Sequence, residues 1–167
     1  MTKVLWLVRH ADAVTAEVGQ PDIKRELSPK GYQDATRLGH YLYTQRQDID
    51  VMLVSIAQRA QRTAEILTEQ MHYNSHRFQL SEDLYQASVR SVLELVNRQA
   101  TSVQHLMIVG HNPTLTYLAE YLSGEPVNNM APGGLFSLSL MVDQWEEVSQ
   151  RNATLASYID PDQLRGQ

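Results

Sequence analysis

The sequence predicts an α/β fold: a three-layer α/β/α sandwich over a mostly parallel central sheet with an antiparallel edge. Three observations predict it. Short apolar runs rich in branched residues stop abruptly at polar side chains, as buried strands do. They alternate with longer stretches whose apolar residues recur at helical spacing, the pattern of βα units. The last such run, Leu135 to Val142, alternates apolar with polar residues and reads as a strand with one more polar face.

In chain order, Val4 to Val8 is the first strand and delivers Arg9 and His10 at its carboxyl end. A polar stretch follows from Thr15 to Leu27, with Gly19, Pro21 and the charged run Asp22 to Glu26. Ser28 then reads as the N-cap of a helix with Pro29 at its first position, and Leu38, Tyr41 and Leu42 carry that helix to about Gln45. Ile49 to Val54 is the second strand, ending at Ser55, and Gln58 to about Met71 the second helix. Arg59 falls in the first turn of that helix, where free backbone N–H groups and the helix dipole favour an anion. Arg62 and Thr63 share its face.

His72 to Ser75 is a polar break, Phe78 to Leu80 a short strand leading to Glu82 and Asp83, and Ser88 to about Ala100 a helix. His105 to Val109 is a strand that delivers His111. Asn112-Pro113 starts a helix that Gly124 stops. Pro126 to Gly134 reads as loop, and the residues around Trp145, Val148 and Ala153 to Ile159 as closing antiparallel strands. The tail from Asp160 is polar and expected to be loosely held.

Composition bounds the function. With 167 residues and 43% hydrophobic content, the chain suits one domain spanning residues 1–167. The absence of cysteine excludes disulfides, thiolate metal sites and cysteine nucleophiles. A net charge of −5 argues against a nucleic-acid surface, while arginines clustered within an acidic protein suggest a small anionic ligand. No run is long enough for a membrane span and no export signal is read, so a cytoplasmic protein without membrane association is expected. The oligomeric state is not legible.

Parallel neighbouring strands lie about 4.8 Å apart, so two strand-end histidines can meet over one pocket at the sheet edge where α/β folds bind ligands. Arginine stays charged, and its planar fork matches phosphate oxygens. A neutral histidine can attack phosphorus, a second histidine can hydrogen-bond the phosphoryl oxygens, and a carboxylic acid can protonate a leaving group. Glu82 and Asp83, at a third strand end, are the candidate acids, and Glu82 is preferred on position. His40, His72 and His76 read as surface residues, and His105 lies at the wrong end of its strand. No metal-ligand spacing such as His-Glu-x-x-His is present, so neither metal nor cofactor is expected.

Leu7-Val8-Arg9-His10-Ala11 resembles the Arg-His-Gly signature of the histidine phosphatase (phosphoglycerate mutase-like) superfamily. Ser55-x-x-x-Arg59-Ala60-x-x-Thr63, Gly110-His111-Asn112-Pro113 and Arg25-x-Leu27-Ser28-x-x-Gly31 are similar to its further motifs, in order over nearly the whole chain. The short length and Pro161-x-x-Leu164 resemble the SixA-type phosphohistidine phosphatases. The resemblance implies a phosphoglycerate mutase-like fold, His10 as nucleophile, Arg9 and Arg59 as phosphate clamps and His111 as second imidazole. It also implies Arg25 as a phosphate contact, and Ser55, Asn112 and Asp83 join it as candidate substrate contacts. Ala11 stands where the signature has glycine, a small change if its φ is negative.

The expected activity is hydrolysis of phosphohistidine in a protein partner through a covalent phosphohistidine intermediate, without metal. One alternative is a phosphatase of sugar phosphates or nucleotides, which would need the 15–27 and 126–134 loops as pocket walls. The other is a non-catalytic phosphate-binding module or phosphocarrier, which the presence of His111 disfavours.

Overall fold

The computed structural model describes residues 2–73 and 78–166. Its strands are β1 (Lys3–Arg9), β2 (Val51–Ser55), β3 (Phe78–Ser81), β4 (His105–Gly110), β5 (Leu135–Leu140) and β6 (Ala153–Ile159). Its helices are α1 (Pro29–Thr44), α2 (Gln58–Met71), α3 (Val89–Asn97), α4 (Thr114–Ser123) and α5 (Pro161–Arg165). The strands form one sheet in the order β3-β2-β4-β1-β5-β6. β3, β2, β4 and β1 run parallel, whereas β5 and β6 are antiparallel, as expected for the edge.

Successive side chains of a strand point to opposite faces, and β1 uses both. Leu5 and Leu7 join α3 and α4 in one core, while Trp6 and Val8 join α1, α2 and Leu164 of α5 in the other. Burial on both faces is why the central strands read as continuous apolar runs. β1 lies directly beside β4, with Arg9 opposite Gly110, so His10 and His111 both leave the sheet at the same edge.

The structure corrects two expectations. Trp145–Glu147 is a 3₁₀ turn, not a strand. Trp145 is fully buried and donates its Nε1–H to the Val103 carbonyl, while Asn97 donates to the Trp145 and Val148 carbonyls that a neighbouring strand would have paired. The tail is not loose either. Asp160 caps α5 through a capping box with Gln163, Leu164 is buried, and Arg165 grips the buried Asp34 of α1 with two hydrogen bonds of 3.0 and 2.6 Å. His40 and His72 are exposed as expected, and His105 begins β4 at the far edge; His76 lies outside the described residues. Among the described residues no helix is long and apolar enough to cross a membrane.

Candidate active site

At the carboxyl edge of the parallel strands lies a cleft of about 390 Å³ lined by Arg9, His10, Asp22, Arg25, Arg59 and His111, with Asp12, Ala13, Tyr85, Gln86, Asn112 and Pro132 completing its walls. The His10 and His111 ring centroids stand 5.2 Å apart. Two apolar runs have brought two imidazoles together, as the strand ends predicted.

His10 has a defined tautomer. Its Nδ1 lies 2.8 Å from the Ala11 carbonyl, which can only accept, so Nδ1 carries the proton and Nε2 keeps its lone pair. That lone pair accepts a hydrogen bond from Arg59 Nε at 3.3 Å. Burial, followed by the positive charge of its neighbours, pushes His10 down to about 3, so the ring is neutral at physiological pH. A neutral ring with an unprotonated Nε2 is what attack on phosphorus requires.

Arg59 is 7% exposed. Its motif neighbour Thr63 explains its placement: Thr63 donates its hydroxyl to the Arg59 carbonyl at 2.8 Å and accepts the Ala11 N–H at 3.0 Å. One buried hydroxyl thus ties the first turn of α2 to the chain leaving β1. Ala11 itself has negative φ and is buried beside Leu27, Ala35 and Ile66, so the methyl group replacing glycine is accommodated in the core. Arg9 donates from Nη1 to the Met130 carbonyl at 2.7 Å, and its Nε is buried without a hydrogen-bond partner among the described residues. A phosphoryl oxygen would satisfy that donor.

His111 is also neutral, lowered to about 4 by burial and by Arg59. Its Nε2 lies 2.7 Å from Ser55 Oγ. Ser55 is fully buried and does not line the cleft, so the structure corrects its expected role from substrate contact to support of His111. Asn112 lines the cleft, but its amide is engaged: Nδ2 donates to Asn129 Oδ1 and the Met130 carbonyl, and Oδ1 accepts from Thr116. Asn112 therefore fastens the 126–134 loop to the start of α4.

The structure also relocates the carboxylate. Glu82 and Asp83 lie exposed in a 3₁₀ turn after β3, and neither lines the cleft. The turn carries them past the sheet edge and points Tyr85 and Gln86 inward instead. The carboxylate in contact with the clamp is Asp22, from the polar stretch before α1. Its Oδ2 accepts from Arg59 Nη2 at 3.0 Å and from the Tyr85 hydroxyl at 2.7 Å, its Oδ1 from Arg25 Nη1 at 3.2 Å, and its carbonyl from Arg59 Nη1 at 2.9 Å. The Tyr85 hydrogen bond and the two arginines hold it at about 2, well below the usual carboxylate range. Sequence reasoning missed Asp22, Tyr85 and Gln86. The available signal was the position of Asp22 three residues before Arg25 in one charged run. Arg62 points away from the cleft toward Glu26 and Glu65.

A second brace explains the motif that begins at Arg25. Ser28 Oγ accepts the Gly31 N–H at 3.0 Å and donates to Asp12 Oδ2 at 2.6 Å. A Cβ on Gly31 would stand 2.1 Å from the Asp12 carbonyl oxygen, so only glycine lets α1 meet the loop after His10 this closely.

A family model described as histidine phosphatase superfamily (branch 1) matches residues 5–85. An uncharacterised protein of Mycobacterium tuberculosis strain H37Rv is 28% identical over 163 residues, 92% of this chain and 99% of that one. Two solved structures share the fold. A Nakamurella multipartitia protein bearing the name phosphohistidine phosphatase SixA superposes with a TM-score of 0.82 over 96% of this chain and 97% of its own, at 24% identity. An Agrobacterium tumefaciens protein of the same name gives 0.81 over 95% and 98%, at 27% identity. The family match takes in β1 through α2, with Arg9, His10 and Arg59, and the solved structures extend the likeness past His111. By motif order and by the geometry at this sheet edge, the chain is similar to the histidine phosphatase superfamily, and it shares the fold of these solved structures.

Proposed function

We propose that this protein is a phosphatase that removes phosphate from phosphohistidine in a protein partner by way of a phosphohistidine intermediate on His10. The observation that carries the reading is the neutral His10 ring, with Nδ1–H on a backbone carbonyl and an unprotonated Nε2 that accepts from Arg59 Nε at 3.3 Å inside an arginine-lined cleft. Arg9, Arg25 and Arg59 supply the positive charge for a phosphoryl group, and His111 supplies a ring N–H beside it.

In the first step the Nε2 lone pair forms a bond to phosphorus while the bond to the leaving group breaks. In the second, water attacks phosphorus and the electron pair of the His10–phosphorus bond returns to Nε2, releasing phosphate. His111 is neutral in the free protein, and the negative charge of a bound phosphoryl group favours its protonation. It can then donate to the oxygens where charge gathers in the transition state.

The preference for phosphohistidine rests on the leaving group. An alkoxide needs a proton delivered as it departs, whereas imidazole, with an ordinary pKa near 6.5, departs readily once protonated. The carboxylate touching the clamp, Asp22, is held ionised and has no proton to deliver at neutral pH. The solved structures named SixA are consistent with this substrate class.

A small phosphate ester is the second reading, favoured by one observation: the two loops that would have to wall a pocket both reach the cleft, through Asp22 and Arg25 on one side and Pro132 on the other. Turnover assays in EDTA separate the readings. Rapid loss of phosphate from a phosphohistidine-containing phosphocarrier, slow turnover of p-nitrophenyl phosphate and sugar phosphates, and loss of both in His10→Ala support the first. Fast hydrolysis of one small ester with an inert phosphocarrier supports the second.

A further inference from the structure

We infer that Asp22 is a specificity-determining residue that receives the ring N–H of the departing imidazole, so that the cleft selects a cationic nitrogen leaving group over a neutral alcohol. This deepens the proposed function and rests on it.

Arg59 spans the nucleophile and this carboxylate. Its Nε faces His10 Nε2 and its Nη2 faces Asp22 Oδ2, so the carboxylate stands one guanidinium width beyond the nucleophile, at the mouth of the cleft. The mouth side is where a leaving group opposite His10 must lie. The Asp22 side chain is 49% exposed, unlike Arg59 at 8%, so an incoming ring can reach it. A carboxylate oxygen accepts about two hydrogen bonds. Oδ2 is filled by Arg59 and Tyr85, whereas Oδ1 has, among the described residues, only the 3.2 Å contact from Arg25 and keeps acceptor capacity.

A phosphohistidine ring presents one N–H, on the nitrogen not bonded to phosphorus, once it is protonated. An anion accepting that N–H favours the protonated ring and so raises its population at neutral pH. When His10 Nε2 bonds to phosphorus, the old N–P bond breaks with its electron pair on the substrate ring, which leaves as neutral imidazole with the N–H already in place. No proton has to move in that step. A sugar alkoxide has no N–H to offer, and an anionic substituent beside Asp22 is repelled.

The groups facing Asp22 are Arg59 from α2, Arg25 from its own segment and Tyr85 from the segment after β3. The other titratable groups lining the cleft are Arg9, His10, Asp12 and His111. Asp22→Asn keeps a carbonyl oxygen for Arg59 and Tyr85 while removing the charge, and Asp22→Glu restores the charge. The test compares kcat/KM for a phosphohistidine peptide and for p-nitrophenyl phosphate, whose phenolate needs no proton, and follows kcat for each across pH.

The inference predicts that Asp22→Asn lowers the ratio of phosphohistidine to p-nitrophenyl phosphate turnover about tenfold, the loss of one charge-assisted hydrogen bond. It predicts also that the alkaline limb of the phosphohistidine kcat profile, which reports the ionisation of the bound ring, moves about one pH unit lower, and that Asp22→Glu partly restores both. Equal losses on the two substrates with an unmoved profile would overturn the inference alone and leave Asp22 as a brace for Arg59. Failure of the wild-type protein to hydrolyse phosphohistidine while it hydrolyses the ester would overturn the proposed function and this inference together.

Discussion

His10 and His111 are two imidazoles 5.2 Å apart that stay neutral because burial beside arginines penalises their charged forms, to about 3 and about 4. The kcat/KM profile reports free-enzyme ionisations, so its acid limb, set by the nucleophile His10, is expected near pH 3 and not near the ordinary histidine value of about 6.5. A stopped assay from pH 3.5 to 8 with p-nitrophenyl phosphate checks this. Ser55 acts on the same ring: Ser55→Ala leaves His111 Nε2 without its 2.7 Å partner, and kcat is expected to fall about tenfold with KM little changed. These residues differ in how readable they were. Arg9, His10 and His111 terminate apolar runs, and a run's end marks the sheet edge. Ser55 terminates one too, but nothing in sequence says whether its hydroxyl faces substrate or a neighbouring ring. Asp22 lies in an aperiodic stretch, and only the folded path of residues 15–27 brings it to Arg59.

At the scale of elements, the site is held by short tertiary braces. Thr63 ties α2 to the end of β1, Ser28 and Gly31 dock α1 on Asp12, and Asn112 ties the 126–134 loop to α4. Gly31→Ala forces a methyl group against the Asp12 carbonyl oxygen. Overpacking of this kind is expected to cost about 2 kcal/mol and to lower activity by moving the chain after His10. Urea denaturation and kcat/KM of the same variant check both effects. The helices and central strands were legible because their periods, 3.6 and continuous apolar, follow from two-sided burial. The 3₁₀ turns at Glu82–Leu84 and Trp145–Glu147 were not, since one turn carries no period. The C-terminal helix was legible in principle, through Asp160 as cap and Pro161 at its first position, but its polarity concealed the Arg165–Asp34 pairing that holds it.

The whole molecule inherits a pH dependence from its site. Both histidines bind protons less readily folded than unfolded, so between about pH 6.5 and about pH 4 the unfolded chain takes up protons that the native state refuses. Their contribution to stability is complete above about 6.5, declines as pH falls through that window, and levels off below about 3. Thermal unfolding at pH 7, 5.5 and 4.5 should therefore give steadily falling Tm, and His111→Gln, which removes one of the two titrations, should flatten the slope. The same arrangement that tunes the nucleophile thus makes the fold acid-sensitive, linking architecture to reaction. Rapid-quench trapping with a phosphohistidine substrate labelled in its phosphate tests the central claim most directly. The account predicts transient, acid-labile and alkali-stable label confined to the peptide bearing His10, formed and lost at rates consistent with turnover. Label on another residue, or steady turnover by His10→Ala, would contradict it.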